Sequence, residues 1–406
     1  MTKDEDADPD VVLPLDVLQD GATPAGLVPT LPPTAAVIGL RVVGTSAQLE
    51  LSPVQGSFSL GGAARPAVDL SVDGPGVSRL HALLVRKGSK LRVLDQQSTN
   101  GTFFRGHFDP DFEIAAGDAF RVSWDVKLLA IDENLKALRA RLLWMLGFHA
   151  HTEVDAALEA VARNEALLIV GPDGADHEKL ADNIHKRSPY YTRGLTIATR
   201  HSEPTAIAAA RGSIYLDLTY DERKDREALT PLGPELVVAL FARDHRPLIA
   251  VATEPHASAA LGRRARTVAA IEVPPLARRA ADILKLLDAL IVQRTTLLRN
   301  ASAPALPLAA LGRANLDALQ AYAWPANFPE LREAAERLHA VLANRFQLRA
   351  AARFLGQPSS TFADGLSRIG VRLKRCADDA DAMEIDGASL LEADAVPTPS
   401  IGPVPT

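Results

Sequence analysis

The chain has 406 residues, of which 47% are hydrophobic and 23% charged, with a formal net charge of −6. That length favours two to four domains over one, and that composition excludes a wholly disordered or fibrous chain. The mildly acidic balance excludes a surface that is basic throughout, and leaves room only for local basic patches.

Residues 1–34, rich in Asp and Pro, read as a tail. The opening "MTKDEDADPD" has no basic stretch ahead of an apolar core, so no signal peptide is expected. Residues 35–131 are strand-like. "AVIGLRVV", "GSFSL", "HALLVRK", "KLRVLD" and "VKLLAI" are short apolar or alternating runs between polar, Gly-rich turns, the pattern of a β-sandwich. Residues 134–346 alternate helical patterns with the short buried strands "ALLIVG", "GSIYLDL" and "PLIAVAT". That alternation predicts a parallel α/β sheet passing into an all-helical lid. Residues 347–376 are helical and locally basic, and residues 377–406 form an acidic, Pro-containing tail without Lys or Arg. Nowhere is there a run of about 18 apolar residues, so no membrane span is expected. Cys376 is the single cysteine, which excludes an internal disulfide framework and suits a reducing compartment. The expected location is the cytoplasm.

In the first block, "VSRLHALL", "VLDQQSTNGTFFRG" and "IAAGDAFRV" follow one another. The set resembles the forkhead-associated (FHA) domain, a β-sandwich whose loops bind phosphothreonine peptides. A phosphate dianion offers only acceptors, so its site needs hydroxyl, amide and guanidinium donors converging from loops. The resemblance implies that Ser78 donates to the phosphate and that Asn100 bonds the peptide backbone. Thr99 would lie near the phosphate or support its loop. His81 would tie the two loops together, and Gly101 would permit the turn after Asn100. The family pattern has Gly-Arg at the end of an early strand, and that Arg grips the phosphate. Here "SLGGAARP" keeps the glycine as Gly61 but has Gly62 in place of the Arg. Arg65 and Arg79 are the candidate substitutes. The alternative is that Ser78 and Asn100 only brace turns, but the polar set is complete except for one cation.

In the second block, "LLIVGPDGADHEKLADNIHKRSP" has the order strand, loop, helix. Together with "RGSIYLDLT", "IEVPPLARRAADI" and "YAWPANFPELREAAERLHAVL" it resembles the AAA+ ATPase domain of sigma-54-dependent transcription activators. The chemistry of that family is absent position by position. After Gly171, a P-loop needs a Gly at its tip and a Lys for the β- and γ-phosphates, and Asp176 and His177 stand there. Asp217 keeps the Walker B aspartate, but Leu218 replaces the glutamate that activates water. Glu254 stands for the sensor Asn, and Pro329 for the sensor Arg. The stretch from 199 to 212 is too short for the loop that touches the sigma factor. The expectation is a degenerate nucleotide site, no ATP hydrolysis, no enzyme activity, no metal and no cofactor. Nucleotide binding without hydrolysis is the alternative, and oligomerisation through this domain stays open.

The third block, "RAAARFLGQPSSTFADGLSRIGVRLKR", resembles the Fis-type helix-turn-helix that ends these activators. Ala351, Ala352 and Leu355 would form the inner face of its first helix. Ser359 or Ser360 would cap the second, and Phe362, Leu366 and Ile369 would face inward. In the family, the outward residues of the second helix contact DNA; here they are Ala363, Asp364 and Gly365. Arg368, Arg372, Lys374 and Arg375 remain as weak backbone contacts. A helical pair used only for dimerisation is the plainer reading.

The resemblances together imply a cytoplasmic, bacterial-type regulator that binds a phosphothreonine-containing protein, a Ser/Thr kinase or its substrate, and controls transcription without hydrolysing ATP. DNA as a second partner stays open. The alternatives are an interaction adaptor in a kinase pathway with a vestigial DNA-binding end and, more distantly, an active sigma-54-type ATPase.

Overall fold

The structure is a computed structural model that describes residues 36–62, 67–188, 190–219, 230–242, 245–298 and 305–373. Residues up to Val371 form one compact unit, and Arg372 opens a second. Both tails lie outside the described residues, as do Arg65, Lys374 and Arg375.

Among the described residues, eleven short strands come first: β1 (Gly39–Val42), β2 (Gln48–Glu50), β3 (Ser57–Gly61), β4 (Leu70–Ser71), β5 (Ala82–Lys87), β6 (Lys90–Asp95), β7 (Thr102–Phe104), β8 (His107–Phe108), β9 (Asp111–Ile114), β10 (Ala119–Val122) and β11 (Val126–Ile131). They make a six-stranded sheet, β2-β1-β11-β10-β7-β8, and a five-stranded sheet, β4-β3-β5-β6-β9. Alternation sets the faces: in β6, Leu91 and Val93 are buried while Lys90 and Arg92 are exposed. Phe58, Leu60, Leu84, Phe112, Phe120 and Leu128 fill the shared core. Strand β11 departs from alternation, with Leu128, Leu129, Ala130 and Ile131 all buried. Its outer side is covered by the helix that follows.

That helix, α1 (Glu133–Leu146), is capped by Asp132, whose side chain accepts from the Leu135 N–H at 2.8 Å. It pairs with α2 (His151–Ala162). Asp155 of α2 is fully buried and accepts from the Gly44 N–H at 2.9 Å and from Arg139 Nε at 3.3 Å, with Arg41 Nε at 4.0 Å. A buried carboxylate survives only with such partners. The sandwich and the helical hairpin therefore share one polar joint.

A third sheet is wholly parallel, in the order β13-β14-β15-β12-β16. Its strands are β12 (Leu167–Val170), β13 (Leu195–Ala198), β14 (Gly212–Leu218), β15 (His245–Val251) and β16 (Ala269–Glu272). All four residues of β12 are buried, as a central strand covered on both faces requires. The three predicted strands are present; β13 and β16, at the two edges, carry weaker sequence signals. Helices α3 (His177–Lys186), α4 (Pro204–Ala209), α5 (Pro234–Leu240) and α6 (Glu254–Leu261) accompany the sheet. A helical region closes it: α7 (Ile283–Leu297), α8 (Arg313–Ala321), α9 (Asn327–Ala343), α10 (Leu348–Phe354) and α11 (Ser359–Arg368).

The last two helices correct three expectations. The N-cap of α11 is Pro358 and neither serine makes a capping hydrogen bond, because the helix already begins at Ser359. Leu355 is only half-buried, since it follows the last turn of α10. Gly365 faces inward rather than out: a Cβ there would lie 2.6 Å from Arg337 Nε of α9. Phe362, Leu366 and Ile369 do face inward, and the pair packs directly on α9.

Candidate functional site

Two loops of the sandwich meet at the ends of β3, β5 and β7. The first holds Ser78, and the second holds Thr99 and Asn100. Ser78 Oγ accepts from the Thr99 N–H at 3.0 Å, so its own proton has no strong acceptor inside the protein; Thr99 Oγ1 is 3.5 Å away. His81 is fully buried between the loops. Its Nδ1 accepts from the Ser78 N–H at 3.1 Å, which leaves the proton on Nε2, and that nitrogen donates to the Gly101 carbonyl at 3.1 Å. Burial pushes the His81 pKa down, against weaker opposition from the Gly101 bond and from Asp95. A neutral ring of fixed tautomer thus sets the spacing of the two loops.

The second loop is built by Asp95, a residue with no role in the sequence-based reading. Its carboxylate accepts from the Ser98 N–H (2.8 Å), Ser98 Oγ (2.7 Å) and Thr102 Oγ1 (2.6 Å). Burial works to raise its pKa, but the hydroxyl bonds from Thr102 and Ser98 outweigh it and the net shift is downward. An Asp three residues before a Ser is the signal that marks such a turn. Gly101 has φ +77°, a conformation that glycine adopts without cost.

Asn100 donates from Nδ2 to the Gly76 carbonyl at 2.8 Å, so its amide binds the neighbouring loop. Gly61 is needed for close packing: a Cβ there would overlap the Arg79 carbonyl. Gly62 donates its N–H to the Ser78 carbonyl at 3.0 Å, which places residue 62 beside the site. Arg79 is exposed next to Ser78. Hydroxyl and amide donors therefore converge here, with Arg79 the only cation among the residues singled out for this site that are described.

The loop between β12 and α3 is packed against α9. Asp176 caps α3 in a left-handed conformation (φ +56°). Arg332 of α9 grips it with both guanidinium nitrogens, at 2.5 and 2.9 Å. Asn327 Nδ2 donates to the Asp173 carbonyl at 2.7 Å, the Phe328 N–H donates to Gly174 O at 3.2 Å, and Asn327 Oδ1 accepts from the Leu276 N–H at 3.0 Å. Pro329 lies at the same contact, with its Cδ 3.3 Å from where a Gly174 Cβ would sit. His177 is buried against Gly171, and burial lowers its pKa. Asp217 is occupied locally, accepting from the Thr219 N–H (2.8 Å) and hydroxyl (2.5 Å), and Leu218 is in the core. Arg332 and Asn327 had no place in the sequence-based reading, since a contact over roughly 150 residues has no local pattern.

Arg368, at the end of α11, is exposed and has carboxylates beside it. Its NH2 lies 3.9 Å from both Glu330 and Glu333 of α9. Arg372 is exposed, and the outer face of α11 carries Thr361 and Asp364. Among the described residues no cluster of ligands suits a metal ion, and no helix is long and apolar enough to cross a membrane.

Four histidines give a pH dependence. His81, His177 and His185 have pKa values lowered by burial, and burial takes His339 down to about 4. The unfolded chain takes up protons below about pH 6.5, while the folded chain does so only at lower pH. Stability is therefore complete above that value and falls on acidification, by up to about 1.4 kcal/mol per pH unit for each histidine. Urea unfolding at pH 7.5 and 5.5 checks this: the midpoint drops at 5.5, and an unchanged or higher midpoint would contradict it.

Residues 58–123 match the model of the FHA domain family. No curated protein matches the chain. Among solved structures it is similar to the Slr1951 protein from Synechocystis sp., at 25% identity over 23% of this chain and 97% of that one, with a TM-score of 0.21. It is similar to Mycobacterium tuberculosis EmbR, solved with a low-affinity phosphopeptide, at 22% identity over 24% of this chain and 25% of that one (TM-score 0.21). It is also similar to NtrX from Brucella abortus, solved with ATP, at 18% identity over 59% of this chain and 68% of that one (TM-score 0.35). With the family match falling on the two-sheet sandwich, the N-terminal part of this chain is an FHA domain.

Proposed function

We propose that the protein is a phosphothreonine-dependent signalling component that recognises a phosphorylated protein partner and does not hydrolyse ATP. The observation that carries this is the convergence of Ser78 Oγ, Thr99 and Asn100 on two loops fixed by neutral His81. The hydroxyl of Ser78 and the amide of Asn100 supply donors to a dianion and to a peptide carbonyl, and Arg79 supplies nearby charge. Ser78→Ala and Asn100→Ala are each expected to weaken phosphopeptide binding about ten-fold or more, from the loss of a hydrogen bond to a charged or buried group. Calorimetry with matched phosphorylated and unphosphorylated threonine peptides tests it. Equal binding of the two peptides, or no effect of Ser78→Ala, would overturn the reading.

The absence of hydrolysis rests on Asp176, His177 and Leu218 standing where a phosphate-binding Gly, Lys and Glu are required. Phosphate release from ATP should stay at background, and turnover abolished by His177→Ala would contradict that. Transcription control is the first reading of the C-terminal helices. The adaptor reading is favoured by one feature: Arg368 faces Glu330 and Glu333, and Asp364 is on the exposed face of α11. Retention on DNA that weakens steeply with salt supports transcription control; none at physiological salt supports the adaptor.

A further inference from the structure

We infer that the outer face of the six-stranded sheet is a second binding surface, one that takes an acidic segment bearing a large apolar side chain. Its assignment to the phosphorylated partner rests on the function proposed above; its chemistry does not.

The surface is a cross-strand row. Phe108 of β8 is in register with Phe103 of β7, Phe103 with Arg121 of β10, and Arg121 with Lys127 of β11. Register partners project from the same side of a sheet, so these four side chains form one line. The row crosses four strands, about 14 Å at the usual interstrand spacing, the reach of about four residues of extended peptide. Its aromatic end is exposed: Phe108 is 60% accessible and Trp124, in the turn after β10, 63%. Phe103 joins them, with ring centroids 5.2 Å from Trp124 and 6.2 Å from Phe108. Three neighbouring rings left partly in water mark a contact site more than a fold requirement.

The other end is cationic. Arg121 is exposed and donates to the Trp124 carbonyl at 3.2 Å; Arg105 lies over the Phe104 ring at 4.9 Å. Neither has a carboxylate partner among the described residues. Lys127 and Arg163, by contrast, share Glu159 of α2, at 2.5 and 3.2 Å. A cleft of about 730 Å³ runs between this face and α2, with Phe103, Arg105, Arg121 and Trp124 on the sheet side and Glu159 and Arg163 on the helix side. Two guanidinium groups without acids ask for carboxylates, and the rings ask for an apolar side chain. A nucleic acid also offers anions and flat rings, so an oligonucleotide is a competitor in the test below.

The row begins where the phosphate loop ends. Gly101 follows Asn100, and a Cβ on it would lie 2.7 Å from Phe108 Cδ2. The N–H of Ser123, the neighbour of Trp124, donates to the Gly101 carbonyl at 3.2 Å. A partner held by its phosphothreonine would thus present adjacent residues to this face.

The test uses the full chain and synthetic threonine peptides, phosphorylated or not. Each carries a six-residue tract of Asp, Glu and one Phe, or a Gly-Ser tract of equal length, on either side of the threonine. Trp124 is the exposed tryptophan, Trp144 and Trp324 being buried, so intrinsic fluorescence reports binding here, with Trp124→Phe as the control. An acidic tract on one side is expected to tighten binding about ten-fold, the scale of one charge-assisted contact. Arg105→Ala/Arg121→Ala should remove that gain while leaving the Gly-Ser phosphopeptide unchanged, which also shows the variant to be folded. Lys90→Ala, on the other sheet, should leave the gain intact. The inference is overturned if neither acidic tract improves binding, if the double variant keeps the gain, or if a single-stranded oligonucleotide displaces the tract at equal charge concentration. If the acidic tract binds through Arg105 and Arg121 with or without phosphate, this surface stands and the phosphothreonine reading falls. If phosphate matters and the tract does not, the reverse holds.

Discussion

Gly62→Arg is expected to raise affinity for a phosphothreonine peptide by about ten- to a hundred-fold, the equivalent of one charge-assisted hydrogen bond of about 1.5–3 kcal/mol. Residue 62 sits beside the Ser78 loop, its N–H held by the Ser78 carbonyl at 3.0 Å. A Cβ at this position would find Val77 O at 3.4 Å, Val72 O at 3.5 Å and Val77 Cβ at 3.7 Å, all ordinary contacts, and its φ lies outside the positive range. The backbone therefore accepts a side chain that the sequence lacks. Gly61 does not, because a Cβ there overlaps the Arg79 carbonyl, so Gly61→Arg should fail to fold the loop. Titration of wild type and Gly62→Arg with one phosphopeptide decides the matter. No gain in a folded variant would show that the phosphate lies elsewhere, or that another cation already meets it.

Arg332→Ala should destabilise the protein by about 3 kcal/mol, toward the low end for breaking a largely buried ion pair. The bidentate grip on Asp176 has side-chain exposures of 24% and 10%, so removing the guanidinium leaves a poorly solvated carboxylate. Gly174→Ala should do at least as much. That residue has φ +74°, and a Cβ would overlap the Ala326 carbonyl and lie 3.1 Å from its carbon, pushing α9 off the loop. Thermal melts check both. Mg-ATP should leave the melting temperature of the wild type unchanged, since a ligand stabilises only a state that binds it. A wild-type melt that rises with ATP, or an Arg332→Ala variant as stable as wild type, would show that the loop is not closed in this way.

The local pattern was enough for much of this. Alternation of Lys90, Leu91, Arg92 and Val93 gives a half-buried strand whatever its neighbours, and the unbroken run at 167–170 gives a central one. The polar sets around Ser78 and around Thr99–Asn100 were legible because turn and phosphate-contact residues are rare side by side. That Asp176, His177 and Leu218 stand where a nucleotide site would need Gly, Lys and Glu is a reading of the sequence alone, since each role needs one residue type at one place. The edge strands β13 and β16 were less so, being short and only partly buried.

What the sequence by itself determined was the order of elements and the inventory of donors, because secondary-structure period and turn chemistry act over a few residues. Tertiary structure alone decided which of those residues meet. It put Arg332 on Asp176, Arg368 between Glu330 and Glu333, Gly365 against Arg337, and Phe108, Phe103, Arg121 and Lys127 in one line. Each of these depends on register or packing between elements whose separation in sequence leaves no periodic trace. For that reason the loop between β12 and α3 turned out to be a docking point for α9, through Arg332 on Asp176, and Arg368, expected to contact a DNA backbone, was found beside two carboxylates of that helix.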